Sequence, residues 1–247
     1  MQNYTKQYFE RITAIQTQVM AQELDNIESA GKLFADTIEK GNAIYAFGAS
    51  HAGILAEEMF YRTGGLALVN PIFSPTLMLN TRPVNVTSQM ERVDEFGRVI
   101  FEGSKARAGD TILLHSVSGR NTVSIDMAEA AREAGLNIVV VTNMTYTKGV
   151  TSRHKSGKNL YQYADILIDN HGDFEDSAIE LHGMGQKSGA TSSVVGCMIV
   201  NMVLLSAIGH LQDKGIDPPV FRSANVDGGD AFNARIFEQY KDQIHYM

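Results

Sequence analysis

One cysteine, Cys197, stands in a chain of 247 residues, and it lies in an apolar helical run. Neither a disulfide framework nor a thiolate metal cluster can be built from it, which suits a reducing cytosol. Basic charge is short as well. The 21 Lys and Arg face 28 Asp and Glu, for a net charge of −7, a balance that argues against nucleic acid or an acidic membrane as the main partner. The sequence holds no helix-turn-helix segment or basic extension that would read DNA. Nor is there a long unbroken hydrophobic run. The most apolar stretch, Val194 to Ile208, is interrupted by Gly196, Asn201 and Ser206 and falls short of the roughly 20 residues of a membrane span. It reads as a buried helix of the core or of a dimer interface. Met1-Gln2-Asn3-Tyr4 leads into a polar amphipathic stretch with no signal-peptide pattern, so a cytoplasmic protein without membrane association is expected. Repeats and low-complexity tracts are missing too.

The organising stretch is Ala43-Ile44-Tyr45-Ala46-Phe47-Gly48-Ala49-Ser50-His51-Ala52-Gly53. A short apolar run ends in a small-residue turn. Ala52, Leu55, Ala56, Met59 and Phe60 then repeat at helical spacing. Backbone N–H groups at such a strand-to-helix junction lack intrahelical partners and carry partial positive charge, so the junction suits an anion. The motif nearly matches the dinucleotide fingerprint G-x-G-x-x-G. However, Ser50 stands where a glycine would let the backbone meet a pyrophosphate, and the run Leu66-Ala67-Leu68-Val69 ends in Asn70-Pro71 with no acid to hold a ribose. A monophosphate site is the better reading, with no nicotinamide cofactor. Ser116-Val117-Ser118-Gly119-Arg120-Asn121-Thr122 repeats the same logic between a strand at Thr111–His115 and a helix from about Val123 to Glu133.

In chain order the pattern predicts two amphipathic helices over residues 4–40, broken near Asp25-Asn26 and ended by Gly41. Strands follow at Leu66–Asn70, Thr111–His115, Asn137–Thr142 and Ala164–Asp169, after the first one at 43–48. Ser88-Gln89-Met90-Glu91 fits the S-x-x-E capping box, so one helix is expected from Ser88 to about Glu102. Thr145 to Lys158 reads as a polar basic connection and Asn170 to Ala190 as a long loop. An apolar helix from Ser192 to Leu211 precedes a Pro- and Gly-rich tail and a last helix from about Ala231. Strands alternating with helices predict an α/β protein, a three-layer αβα sandwich on a mostly parallel five-stranded sheet. The whole of 1–247 reads as one domain: N-terminal helices 4–40, core 41–212 and tail 213–247.

Phe47-Gly48-Ala49-Ser50-His51 and Ser116-Val117-Ser118-Gly119-Arg120-Asn121 together resemble the paired loops of the sugar isomerase (SIS) domain family, from about Gly41 to Leu211. Ala56 to Gly65 and Ser223 to Asp230 look like a group of single-domain bacterial SIS proteins of undefined activity. The resemblance implies a sugar-phosphate ligand. Its phosphate contacts fall on Ser50, Ser116 and Ser118, with Asn121 or Thr122 at the helix start and Gly48 and Gly119 shaping the two turns. Neutral hydroxyl and N–H donors at a helix end are what a phosphate dianion needs. The family includes aldose–ketose isomerases, ether lyases and sugar-phosphate sensors. An isomerase is the leading expectation, with a lyase or deaminase on a phosphorylated amino sugar, or a non-catalytic sensor, as alternatives.

Moving a proton between adjacent carbons needs a base, and ring opening needs an acid. His51 adjoins Ser50, although a histidine at a helix start also serves the backbone. Glu57 and Glu58 lie two turns along the same helix, and Glu58 is equally placed to pair with Arg62 at i+4. Glu91 reads first as the capping-box acid. The resemblance adds that related enzymes draw acids from this helix into a neighbouring subunit's site. Likewise, His182, with Glu180 and Gln186, lies in the region that in relatives supplies a ring-opening group. His171 and Asp173 follow the fifth strand at the same edge. Lys148, Arg153, His154, Lys155 and Lys158 form a basic stretch able to steer an anion, and Asn225, Asp230 and Asn233 read as turn residues or as ties for the tail. No tight metal-ligand spacing occurs, so neither a metal nor a cofactor is expected. A homodimer or homotetramer is expected, through the apolar helix and the N-terminal helices.

Overall fold

The computed structural model describes residues 3–247; Met1 and Gln2, read above as the start of the polar N-terminal stretch, lie outside the described residues. Helices α1 (Tyr4–Gln22) and α2 (Leu24–Glu39) lead into β1 (Ile44–Gly48). Gly41, at φ +74°, ends α2 in the left-handed turn that its place after the helix predicts. A 3-10 turn, Ser50–Gly53, opens α3 (Ile54–Met59). Then come β2 (Val69–Pro71), α4 (Val86–Met90), α5 (Phe96–Glu102), β3 (Thr111–His115), α6 (Thr122–Glu133), β4 (Asn137–Thr142), α7 (Met144–Lys148) and β5 (Ile166–Asp169). A small hairpin, β6 (Ile179–Glu180) with β7 (Lys187–Ser188), precedes α8 (Ser192–Asp213) and α9 (Gly229–Gln239).

Strands β1 to β5 form one parallel sheet in the order β2-β1-β3-β4-β5, so the three-layer α/β sandwich is the observed fold. Strand alternation sends Ile44 and Ala46 to one face and Tyr45 and Phe47 to the other. The first face packs under α1, α2, α3 and α8 around Ile15, Phe34, Leu55 and Val203. The second packs under α5 and α6 around Val123, Met127 and Phe101. Since the chain leaves β1 outward to β2 and returns on its other side as β3, the crevice of the sheet opens between the carboxyl ends of β1 and β3. The register pairs Gly48 with His115. The two small-residue loops therefore leave the sheet at the same level, side by side.

Four expectations need correction. Ser88-Gln89-Met90-Glu91 is not a capping box: α4 already starts at Val86, and Glu91 stands at its end. The single helix to Glu102 is two short ones, separated where Glu95 turns left-handed at φ +63°. Strand β2 is only three residues long and includes Pro71, tolerable because it is an edge strand. Helix α8 has 22 residues and by length and composition could cross a membrane, so the argument from shortness fails. What identifies it as a core helix is burial: Val195, Ile199, Val200, Val203, Ala207 and Leu211 are closed off against α2 and the sheet.

The tail seals the β2 edge. Ala67 N–H donates to the Pro219 carbonyl and Phe221 N–H to that of Gly65. The buried Asn70 accepts from the His245 N–H at 2.6 Å and donates to the Gln243 carbonyl. Asn233 serves as a turn residue, bonding both backbone groups of Arg222. The tail thus covers an edge that would otherwise expose unpaired backbone, and it runs along the outside of the sheet.

The segment that carries Glu91 toward the crevice is locked by α5 against α6. A Cβ on Gly97 would stand 2.0 Å from the Val123 carbonyl oxygen and 2.9 Å from the Met127 nitrogen, both main-chain atoms that cannot swing away. Gly97→Ala should therefore destabilise the protein by about 1–3 kcal/mol in urea unfolding, even though alanine is the better helix former by about 1 kcal/mol. A gain in stability would contradict this close helix contact.

Candidate functional site

The first loop leaves β1 at Gly48. A side chain there is impossible without rearrangement, because a Cβ would meet the Ala52 carbonyl oxygen at 2.3 Å. Ser50 follows in the left-handed region, at φ +53°, a conformation that costs a non-glycine residue of order 1 kcal/mol or more and concentrates at ligand sites. From beneath, His115 holds this turn. Its Nδ1 lies 3.0 Å from the Ala52 carbonyl oxygen, which can only accept, so Nδ1 carries the proton. The other ring nitrogen, Nε2, is buried without a partner among the described residues. Burial pushes the His115 pKa below its ordinary 6.5, with the Ala52 bond and the Asp176 charge opposing.

The second loop leaves β3 beside it. The Ser116 hydroxyl accepts from Gly119 N–H at 3.2 Å, and the Gly119 carbonyl accepts from Leu160 N–H at 2.8 Å. Thr142 donates its hydroxyl to the Ser116 carbonyl at 2.6 Å. These bonds fix the loop on the β4 side. Ser118 is half-buried at its tip. Thr122 is buried and its hydroxyl points to the Arg153 carbonyl at 3.4 Å, so it braces the loop.

Between the two loops stands Glu91. Its Oε1 accepts from the Ser50 hydroxyl and its Oε2 from the Asn121 amide, each at 2.5 Å. Its main-chain carbonyl accepts the Val123 N–H at 3.1 Å, one of the free donors of the α6 N-terminus. Asn121 precedes α6 with no side-chain cap bond of its own; its amide is turned instead to the Glu91 carboxylate, and its Oδ1 accepts from Arg153 Nη1 at 2.7 Å. The donors at the mouth of the crevice thus converge on one oxyanion, supplied here by the chain itself.

Other predicted residues divide clearly. Glu57 is exposed and lines a small pocket with Gly48, Ser50, Gly53, Phe73 and Met78. His51 is exposed on the 3-10 turn. Glu58 pairs with Arg62 and accepts from Asn201 of α8 at 2.8 Å, so its structural explanation suffices. His182 is exposed on the β6–β7 hairpin; its N–H donates to the Tyr4 hydroxyl at 3.0 Å and it shares a depression with Gln7 and Glu180, next to α1. His171 and Asp173 tie α1 to the end of β5. Arg11 makes a two-pronged bond to Asp173 at 2.8 and 2.9 Å, and His171 meets Glu23 at 3.0 Å and Gln18 at 3.2 Å.

The basic stretch is dispersed by folding. Lys155 pairs with Glu95, Lys158 lies over the Tyr163 ring, and His154 is buried against Asp126 at 3.0 Å. Only Arg153 reaches the paired loops. There its Nη1 donates to the Asn121 amide oxygen at 2.7 Å, and desolvation first, then the charges of Arg120 and Arg92, lower its pKa. No sequence signal marks this contact, because Arg153 and Asn121 lie 32 residues apart.

Comparison with known proteins agrees with the fold. The SIS domain profile matches residues 7–143. A UPF0309 protein of Shouchella clausii is 46% identical over 245 residues, covering 99% of this chain and 100% of the relative. Among solved structures, a phosphoheptose isomerase from Francisella tularensis is similar with a TM-score of 0.56 at 13% identity, covering 83% of this chain and 96% of that one. One from Neisseria gonorrhoeae gives 0.54 at 16% identity, covering 85% and 97%. At such identities the likeness is one of fold.

His115 provides a pH test of the turn beneath Ser50. The folded imidazole stays neutral at pH values where the unfolded one, at its ordinary 6.5, is already charged. Its contribution to stability is complete above that value and is lost as pH falls toward the depressed native pKa. Between about pH 7.5 and 5.5 the wild type should lose unfolding free energy more steeply than His115→Gln. Equal slopes would mean that His115 is not held neutral in the fold.

Proposed function

This chain belongs to the UPF0309 group of SIS-domain proteins, and from that membership we propose that it binds a phosphorylated sugar at the β1/β3 crevice and interconverts its aldose and ketose forms. The observation that carries this reading is the convergence of the Ser50 hydroxyl and the Asn121 amide on one carboxylate. Donors from two loops that already grip one oxyanion are arranged to grip another. A phosphate would take both, with Ser118, the Ser116 hydroxyl proton and the free N–H groups of the two turns completing its shell. Glu91 cannot stay where it is when the phosphate enters. Two unit like charges 4 Å apart repel by about 4 kcal/mol at an effective dielectric of 20. The phosphate displaces the carboxylate, and Glu91 moves to the sugar side of the site.

The chemistry then needs one base and one acid. Glu57, in the pocket next to Ser50, takes the proton from the carbon beside the carbonyl and returns it to the neighbouring carbon. His51, exposed on the same turn, assists ring opening, and the displaced Glu91 carries the hydroxyl proton. Glu58 has no part, since Arg62 and Asn201 hold it. A lyase acting on a phosphorylated amino sugar would use the same proton abstraction and then expel a substituent. A sensor would use the binding and Glu91 displacement alone. The protein is read as one SIS unit that assembles as a homodimer or dimer of dimers. Exposed Phe9 and Met20 on α1 and Val194 and Leu205 on α8 support assembly through those helices; in such an assembly His182 and Glu180, next to α1, would lie near the contact.

Two measurements test this. With fructose 6-phosphate as the first probe of a sugar-phosphate panel, Ser50→Ala should weaken binding about tenfold, whereas Glu91→Ala should tighten it by roughly threefold to tenfold by removing the competing charge. A Glu91→Ala variant that binds more weakly would contradict the displacement. Solvent deuterium should enter the carbon next to the carbonyl, and Glu57→Gln should slow this by at least about a hundredfold. Product mass separates isomerase from lyase. Binding with no exchange, indifferent to Glu57→Gln, would replace the enzyme by a sensor.

A further inference from the structure

Away from the paired loops, a second cluster joins a hydroxyl, an imidazole and a carboxylate in line. His154 lies in the connection between β4 and β5, with its ring wholly buried. Its Nδ1 accepts from the Ser156 N–H at 3.2 Å, and a main-chain N–H can only donate. The ring proton is therefore on Nε2, which faces Asp126 Oδ1 of α6 at 3.0 Å. Asp126 is buried too, and its second oxygen accepts from the Gly97 N–H of α5 at 3.3 Å. Ring and carboxylate are thus both held from behind. The Ser156 hydroxyl stands 2.7 Å from the same Nδ1. Its one proton has another acceptor within reach, the Tyr163 hydroxyl oxygen at 3.3 Å, whose own proton goes to Glu129 at 2.6 Å; the nearer nitrogen takes it. Since the backbone N–H already serves Nδ1, the turn does not need the hydroxyl to satisfy the ring. Ser156 is exposed, whereas the base and the acid beneath it are closed to water.

We propose that Ser156, His154 and Asp126 act as nucleophile, base and positioning residue in a second reactive centre, separate from the β1/β3 crevice, whose substrates are esters of short acyl groups. A hydroxyl set against an unprotonated ring nitrogen, with the far nitrogen fixed by a carboxylate, activates a serine whatever the order of the three residues in the chain. Ser156 Oγ attacks the ester carbonyl carbon, and its proton passes to His154 Nδ1. Asp126 steadies the resulting imidazolium. The bond to the leaving alcohol oxygen breaks, and that oxygen takes the proton from Nδ1. Water then gives a proton to Nδ1 as it attacks the acyl-serine; the carboxylic acid leaves and Oγ recovers the proton. Ester and water thus become acid and alcohol. The oxygen that turns negative in each step has the Lys158 N–H close by, 3.2 Å from Oγ, and the Lys158 ammonium stands over the ring of the neighbouring Tyr163. Because Oγ lies at the surface, a small acyl group reaches it directly. This centre does not depend on the sugar-phosphate reading.

The test mixes the full chain with p-nitrophenyl acetate. Wild type should release nitrophenolate in a burst stoichiometric with the chain, followed by slower turnover, and peptide mapping by mass spectrometry should find the acetyl group on Ser156. Ser156→Ala, a change at the surface, should abolish the burst and cut turnover by at least about a hundredfold. Ser156→Cys should keep the burst. Asp126→Asn, which leaves the ring proton on the wrong nitrogen, should slow the burst by at least about tenfold without changing its size, a split that mere loosening of the loop does not give. Acetyl carried by Lys155 or Lys158 in place of Ser156 overturns the proposal, as does a burst that survives in Ser156→Ala. It is equally overturned by an Asp126→Asn burst as fast as that of wild type, or by an ester that wild type leaves intact.

Discussion

A single carboxylate held by two loops is the contact on which the site depends. Glu91 accepts from Ser50 after β1 and from Asn121 after β3, and this is feasible only because those strands are parallel neighbours with Gly48 level with His115. Parallel pairing puts both carboxyl ends at one rim. Each loop then delivers its donors without a long reach: Gly48 lets the first loop fold tightly over its own turn, and Gly119 lets the second turn at φ +61°. The rest of the fold keeps these two strands in place. The α2–α8 layer covers one face, α5 and α6 the other, and the C-terminal tail closes the β2 edge.

The same contact has an electrostatic consequence. On the proposed reading a carboxylate and a phosphate dianion compete for the same donors, so the unliganded arrangement would be an anion site already filled by a weaker, tethered occupant. Displacing it would cost the bonds Glu91 makes but recover them for the ligand, and would send a proton-transferring group toward the sugar at the moment of binding. Binding and positioning of an acid would then follow from one rearrangement.

Much of this could be read along the chain because it is local. A buried run followed by small and hydroxyl residues and then a helical repeat is a contiguous signal, and it marked the two loops that carry Ser50, Ser116 and Ser118 and the order of strands and helices. Where the reading failed, the deciding contact was distant. Ser88 to Glu91 matched a capping box, yet Glu91 answers to Ser50 and Asn121, 41 and 30 residues away. The helix expected there breaks at Glu95 because α5 must press Gly97 against the α6 backbone. Arg153 was visible only as part of a basic stretch whose other members turned elsewhere. His115 looked like any strand residue, although it props the Ser50 turn. By contrast, the pairing of Glu58 with Arg62 was legible from their spacing alone.

The central claim is that an incoming phosphate takes over the donors that hold Glu91. A crystal structure of the protein soaked with fructose 6-phosphate tests it directly. The account predicts phosphate oxygens within hydrogen-bond distance of the Ser50 hydroxyl, the Asn121 amide and the Ser118 hydroxyl, with the Glu91 carboxylate moved off both loops. A phosphate bound elsewhere on the molecule, with Glu91 still bonded to Ser50 and Asn121, would contradict it.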